Sequence, residues 1–150
     1  MISLQRFRFI HYCITFDDRL TFQECPKVDK LVAVRDSFSA FVENWKLCYP
    51  MGQNITMDKM LPGFRGKWGF RQYIPSKPSI YGIRIFAMVD SKVFYTGNLE
   101  IYANKQPEGL YLISNEPADI SRRLAESIYS SRRNITAGNW FTDMNLISNL

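Results

Sequence analysis

The period of the apolar residues changes near Gln53, and the change divides the chain. Before that point the spacing is helical. Phe7, Ile10 and Ile14 recur behind Ser3, a good N-cap residue, so Ser3 to Phe16 is expected to form a short amphipathic helix. FDDRLTFQECPKVDK reads as a polar connection broken by Pro26. A second helix is predicted from about Leu31 to Tyr49, where Val34, Phe38, Phe41, Val42 and Trp45 share one face and Pro50 with Gly52 ends the run. These two helices are expected to form a small packing unit placed before the core.

From Gln53 onward the pattern is that of strands. Ile55 and Met57 alternate with polar neighbours in a strand ending near Asp58. PGFRG then turns the chain, and KWGFRQYIPSKP continues as an extended arm punctuated by Gly and Pro. Tyr81 to Val89 is almost wholly apolar, Val93 to Tyr102 is rich in β-branched and aromatic residues, and Asp90-Ser91-Lys92 lies between them. An antiparallel hairpin is expected, with Asp90 as a turn residue. Ile120, Leu124 and Ile128 repeat every fourth residue, predicting a helix over Ala118 to Tyr129 in which Asp119, Arg122 and Arg123 are ordinary helix charges. A short strand, Asn134 to Ala137, and a helix beginning near Phe141 complete the order: strand, hairpin of two strands, helix, strand, helix. That order suits an α/β (α+β) mixed sheet with helices packed on it.

Composition narrows the setting. A chain of 150 residues with an ordinary apolar content and many aromatics is long enough for one buried core. Its net charge of +5 favours a polyanionic partner without identifying one. No apolar run approaches the length of a membrane span, and Gln5, Arg6, Arg8 and His11 interrupt the N-terminus where a signal peptide would be continuous. Cys13, Cys25 and Cys48 are odd in number and far apart, which suggests neither a disulfide framework nor a zinc knuckle and points to a reducing, intracellular compartment. His11 has no partner at ligand spacing and is expected on a helix surface. The sequons at Asn54 and Asn134 open strand-like runs and read as incidental.

The unusual chemistry lies in Asn54 to Pro78. Asp58 is followed by Lys59, Arg65, Lys67, Arg71 and Lys77 with no acid among them. One carboxylate beside a basic, aromatic-laced segment suits metal-assisted cutting of a phosphate backbone, the acid holding the cation and the basic ribbon the polyanion; a solvated basic loop is the plain alternative. Trp68, Phe70 and Tyr73 could stack on bases, but at alternate positions in an extended arm they are expected to cover a core edge.

The run TMDKMLPGFRGKWGFRQYIPSKPSIYGIRIFAMVDSKVFYTGNLEIYA, followed by RRNITAGNWFTDMNL, resembles the piggyBac transposase family, including its domesticated, transposable-element-derived members. GFRG, FRQYIPSKP, YGI and NWFT in this order carry the resemblance over Asn54 to Leu150; SLQRFRFIHYCITFDD and VAVRDSF extend it more loosely over Ser3 to Tyr49. It implies a helical segment over residues 1–50, similar to part of a dimerisation and DNA-binding region, and over residues 51–150 the first half of an RNase H-like catalytic domain, incomplete at its C-terminal end. In the DDD members of that family three aspartates hold two divalent ions, usually Mg²⁺, for strand cleavage and transfer.

Carried onto this chain, the resemblance places the first catalytic aspartate, and the metal ligand, at Asp58. The second aspartate belongs immediately before Asn-Trp-Phe-Thr, where this chain has Gly138. The third, and the cysteine-rich zinc module of many members, would fall beyond Leu150. A single carboxylate cannot hold two ions a few ångströms apart, so tight Mg²⁺ binding and strand transfer are not expected, and Asp143 lies too far along its expected helix to substitute. The phosphate-binding candidates are Lys59, Arg65, Lys67, Arg71, Lys77 and Arg84, with DNA as the implied partner and the nucleus as the implied location. A half sheet is expected to leave an edge uncovered, favouring a homo-oligomer or association with a full-length relative. The readings left open are a catalytically degenerate transposase fragment, a domesticated DNA- or protein-binding module, and a piece of a longer active transposase.

Overall fold

In the computed structural model, residues 2–14 and 28–141 are described. The first helix, α1 (Leu4–Cys13), begins as expected, with the Ser3 hydroxyl oxygen accepting from the Arg6 amide at 3.3 Å. None of its residues is buried, and His11 is exposed beside the Phe7 ring. The second helix, α2 (Val32–Cys48), lies against the sheet instead of forming a unit with α1. Its Val42 is buried and Val34, Phe38 and Trp45 are half-buried, whereas Phe41, assigned to the same face, is exposed. Trp45 stacks on Tyr95 at 5.5 Å between ring centroids, and the Tyr95 hydroxyl donates to the Trp45 carbonyl at 2.8 Å.

The strands are β1 (Asn54–Met60), β2 (Gln72–Tyr73), β3 (Tyr81–Gly82), β4 (Ile85–Asp90), β5 (Thr96–Ile101) and β6 (Asn134–Ala137). Four form the main sheet in the order β5-β4-β1-β6. β4 is antiparallel to β1 and β5, while β6 runs parallel to β1. The helix α3 (Pro117–Ala125), continued by a 3₁₀ turn at Glu126–Ile128, carries the chain from the hairpin to the parallel strand. The strand, hairpin, helix, strand order of an opening RNase H-like half is thus the observed order, in an open mixed α/β sheet. The expected helix from Phe141 and the first connection, with Cys25, lie outside the described residues.

Alternation explains which face is buried. Ile55 and Met57 of β1 and Phe86 and Met88 of β4 point to the same side, where Ile120, Leu124 and Ile128 meet them. Phe86 has no exposed surface; it stacks on Trp140 at 4.9 Å and meets Phe141 edge-on at 5.7 Å. The helix pattern that predicted α3 is therefore the stripe that fills this core.

Three boundaries differ from expectation for local reasons. β1 runs two residues past Asp58, because Lys59 and Met60 still pair with Phe86 and Ile85. Tyr81 to Val89 is not one strand: Phe64 N donates to the Tyr81 carbonyl and Ile83 N to the Pro62 carbonyl, each at 3.1 Å, drawing β3 away from β4 toward the arm. A Cβ at residue 82 would lie 2.4 Å from the Pro62 carbonyl oxygen, so this approach requires Gly82. β5 starts late because Val93 and Phe94 are consumed by the turn, with Phe94 at φ 57° and its amide bonded to the Asp90 carbonyl.

Asp90 organises that turn, as its sequence position implied. Its carboxylate accepts from the Lys92, Gly52 and Val93 amides at 2.8, 2.7 and 3.3 Å, and from the Tyr49 hydroxyl at 3.4 Å. The Lys92 amide leads in holding its carboxyl below the ordinary carboxylate range, against burial, with Gly52, Val93 and Tyr49 adding to it. A lowered folded value stabilises the fold above the unfolded value near 4 and is lost as pH falls through the folded one. Urea midpoints are accordingly expected to drop on acidification below about pH 4, with a shallower drop in Asp90→Asn, as read by tryptophan fluorescence. Phe86→Ala removes a fully buried aromatic and is expected to cost about 3–5 kcal/mol in the same assay.

Candidate active-site remnant and nucleic-acid face

Asp58 sits on β1 between Met57 and Lys59, on the face opposite the α3 core, and is exposed. Its Oδ1 accepts from the Lys59 amide at 2.7 Å. Across the parallel pair, Met57 stands opposite Ala137, so the next positions on each strand path, Asp58 and Gly138, come side by side. The Gly138 amide donates to the Met57 carbonyl at 3.1 Å, carrying the pairing one residue beyond β6. A Cβ built on Gly138 would lie 3.2 Å from Asp58 Oδ1.

The residues after Gly138 fix this arrangement. Phe141 N donates to the Gly138 carbonyl at 2.8 Å, closing a tight turn that sends both following aromatic rings into the core. Trp140 packs flat on Phe86, with an interplanar angle of 10°, and Phe141 is fully buried. Lys59 Nζ lies 5.5 Å from the Trp140 ring centroid, so the first cation of the basic segment rests on this anchor. The structural role of Trp140 and Phe141 went unassigned from sequence; the signal was present as two large aromatics directly after a strand.

The other basic candidates divide into two places. Arg65, Lys67, Arg71 and Lys77 are all exposed on the arm between β1 and β3. Arg65 lines one depression with Pro78, Ser79, Ile80 and Tyr81, which brings the two ends of the arm together. Arg71 Nη1 donates to the Gly66 carbonyl at 3.3 Å, and its guanidinium lies 4.8 Å from the Tyr81 ring centroid. Arg84 is different. It is half-buried, its guanidinium lies 4.9 Å from the Tyr102 centroid, and its Nε is buried with no hydrogen-bond partner among the described residues. Of the aromatics, Phe70 is buried and Trp68 packs beside it at 4.9 Å, as expected for a core edge, but Tyr73 is exposed.

The described residues do not fit a two-metal centre. Asp58 contributes one carboxylate and Gly138 no side-chain oxygen, and among the described residues no group of three His, Cys, Asp or Glu side chains is placed to hold a metal ion. Asp143 lies outside the described residues. Hard divalent cations need several oxygen ligands in fixed geometry, so one exposed carboxylate leaves hydration water in possession of the ion.

The family model described as Transposase IS4 matches residues 1–150. This chain belongs to the piggyBac-type transposase family. A cryo-EM structure of a piggyBac transposase synaptic complex with hairpin DNA superposes on it with a TM-score of 0.81 and 34% sequence identity, over 99% of this chain. The same match spans 31% of that transposase chain, so this piggyBac-type chain corresponds to about a third of its length. Transposases of the family are generally metal dependent.

Gly138→Asp tests that geometry directly. A second carboxylate beside Asp58 is expected to lower stability at low salt by like-charge repulsion. Added Mn²⁺ or Mg²⁺ is expected to restore it, by about 2.7 kcal/mol at a hundred times Kd, in thermal unfolding that the parent chain passes through unchanged.

Proposed function

We propose that this chain is a transposase-derived protein that has kept a DNA-contacting face and lost strand cleavage and strand transfer as an isolated chain. The observation that carries this reading is Gly138: the parallel pairing brings it beside Asp58, and a glycine there supplies no carboxylate. Losing one member of a ligand set that acts as a unit costs many orders of magnitude in rate. Asp58 is then a remnant of a metal site whose ion in the family reading is Mg²⁺. Incubation of the purified chain with labelled transposon ends and Mg²⁺ or Mn²⁺ is expected to leave the DNA intact. Nicked or hairpin products that disappear in Asp58→Ala would overturn the reading.

The retained activity in this proposal is DNA binding through Arg65, Lys67, Arg71 and Lys77. Their exposure on one arm, with no acid between Asp58 and Asp90 in the sequence, supports it. Lys59 and Arg84 contribute less, since both are half-buried whereas the other four are exposed. The relative's synaptic complex with DNA supports the same direction, and with it a nuclear location. The division into a helical segment over residues 1–50, serving self-association or docking on a full-length relative, and a catalytic-type segment over residues 51–150 belongs to the same reading. Duplex binding is expected to weaken steeply with salt, and the Arg65→Ala, Lys67→Ala, Arg71→Ala triple variant to flatten that slope by about three phosphate contacts. Salt-insensitive binding in a fluorescence anisotropy titration would exclude the DNA version and leave a protein-binding module.

A further inference from the structure

The arm does not remain an extended ribbon. Its β2 and β3 segments pair antiparallel, with Gln72 opposite Gly82 and Tyr73 opposite Tyr81, and Ile74 N bonds back to the Ile80 carbonyl at 2.8 Å. The two sides of this small ribbon differ. On the inner side Gln72 Nε2 donates to Asn104 Oδ1 at 2.7 Å and Gly82 presses on Pro62, which fastens the ribbon to the body of the protein. On the outer side Tyr73 and Tyr81 face each other at 5.0 Å between centroids, and Arg71, two residues before Tyr73, lies over the Tyr81 ring. Tyr73 is 61% exposed and Tyr81 49%, so both rings present π surface to solvent on a clamped support.

We propose that this outer face, Tyr73 and Tyr81 flanked by Arg71, is a stacking platform for an unpaired DNA base. The proposal rests on the DNA-binding reading above and refines it. Exposed aromatic rings interleaved with cations are the chemistry by which single strands are held: every base has a π face, and the cations follow the phosphates. Base faces inside a duplex are covered by their neighbours, so an unstacked base is what such rings can receive. The charge around the platform fits the same occupant. Lys77 lies at the exposed turn of the ribbon, where its amide bonds the Ile74 carbonyl at 3.1 Å, and Arg65 borders the depression beside Tyr81. Fixing the rings before binding also lowers the ordering cost of capturing a flexible strand. Arg71 has two roles here: it holds one face of Tyr81 and offers its charge to a phosphate, leaving Tyr73 as the more open ring.

The test uses the full chain with two probes, an oligothymidylate carrying one 2-aminopurine and a blunt duplex of equal length. The expected result is single-strand binding that alters 2-aminopurine fluorescence by stacking. Tyr73→Ala is expected to lower the single-strand affinity by about 5- to 150-fold, the range of one stacked base, so that the ratio of single-strand to duplex affinity falls. Tyr73→Phe, which keeps the ring, is expected to restore that ratio. Salt-dependent duplex binding with a single-strand affinity indifferent to Tyr73→Ala overturns the platform and leaves the DNA-binding reading standing. Binding to neither probe overturns both.

Discussion

The parallel pairing of β1 with β6 is the constraint on which the site depends. Parallel neighbours cannot be joined by a tight turn, so the chain must travel through a crossover before it returns. Here that path contains the β4–β5 hairpin and α3, and the stripe of Ile120, Leu124 and Ile128 holds it on one face of the sheet. The return strand is then locked by Trp140 and Phe141 against Phe86. Position 138 is held as a result within side-chain reach of Asp58, since a Cβ there would lie 3.2 Å from Asp58 Oδ1. The fold therefore sets Asp58 and position 138 side by side, and at position 138 this chain supplies no side-chain oxygen.

The core around Phe86 is apolar, and beside it the buried Asp90 carboxylate accepts four hydrogen bonds that tie α2's C-terminal exit to the hairpin turn. A second buried acid, Asp29, does similar work at the start of α2. Burial would raise its carboxyl, but the Arg35 guanidinium, the Leu31 amide and Gln106 bring it below the ordinary value. Both acids are structural, and Asp58 is not engaged in this way; its side chain is exposed and bonded to its own neighbour. The basic arm carries its charges on a support fastened by Gln72 and Gly82.

Much of the fold was legible in the sequence. The period-two alternation of Ile55 and Met57, the Asp90-Ser91-Lys92 turn, the fourfold repeat of Ile120 and the bounds of Asn134 to Ala137 all reflect local rules of side-chain direction and turn chemistry. Harder to read was anything set by contact between distant segments. The splitting of Tyr81 to Val89 follows from bonds to Pro62 and Phe64, and α2 lies on β5 because Trp45 finds Tyr95 fifty residues away. Arg84 looked like one more phosphate contact in a basic run, yet its half-buried place over Tyr102 removes it from the exposed set.

By itself the sequence determined the family, the presence of Asp58, the absence of an acid at Gly138 and the basic character of the arm, because these are facts of residue identity and motif order. Only the tertiary structure decided that Asp58 and Gly138 are neighbours, since their strands are far apart along the chain and their parallel register is set by packing across the whole sheet. It also decided that Tyr73 differs from Trp68 and Phe70. Alternation along an extended arm treats the three alike, whereas packing with Leu31 and Ala103 buries Phe70 and half-buries Trp68, and the pairing of β2 with β3 leaves Tyr73 exposed beside Tyr81 and Arg71.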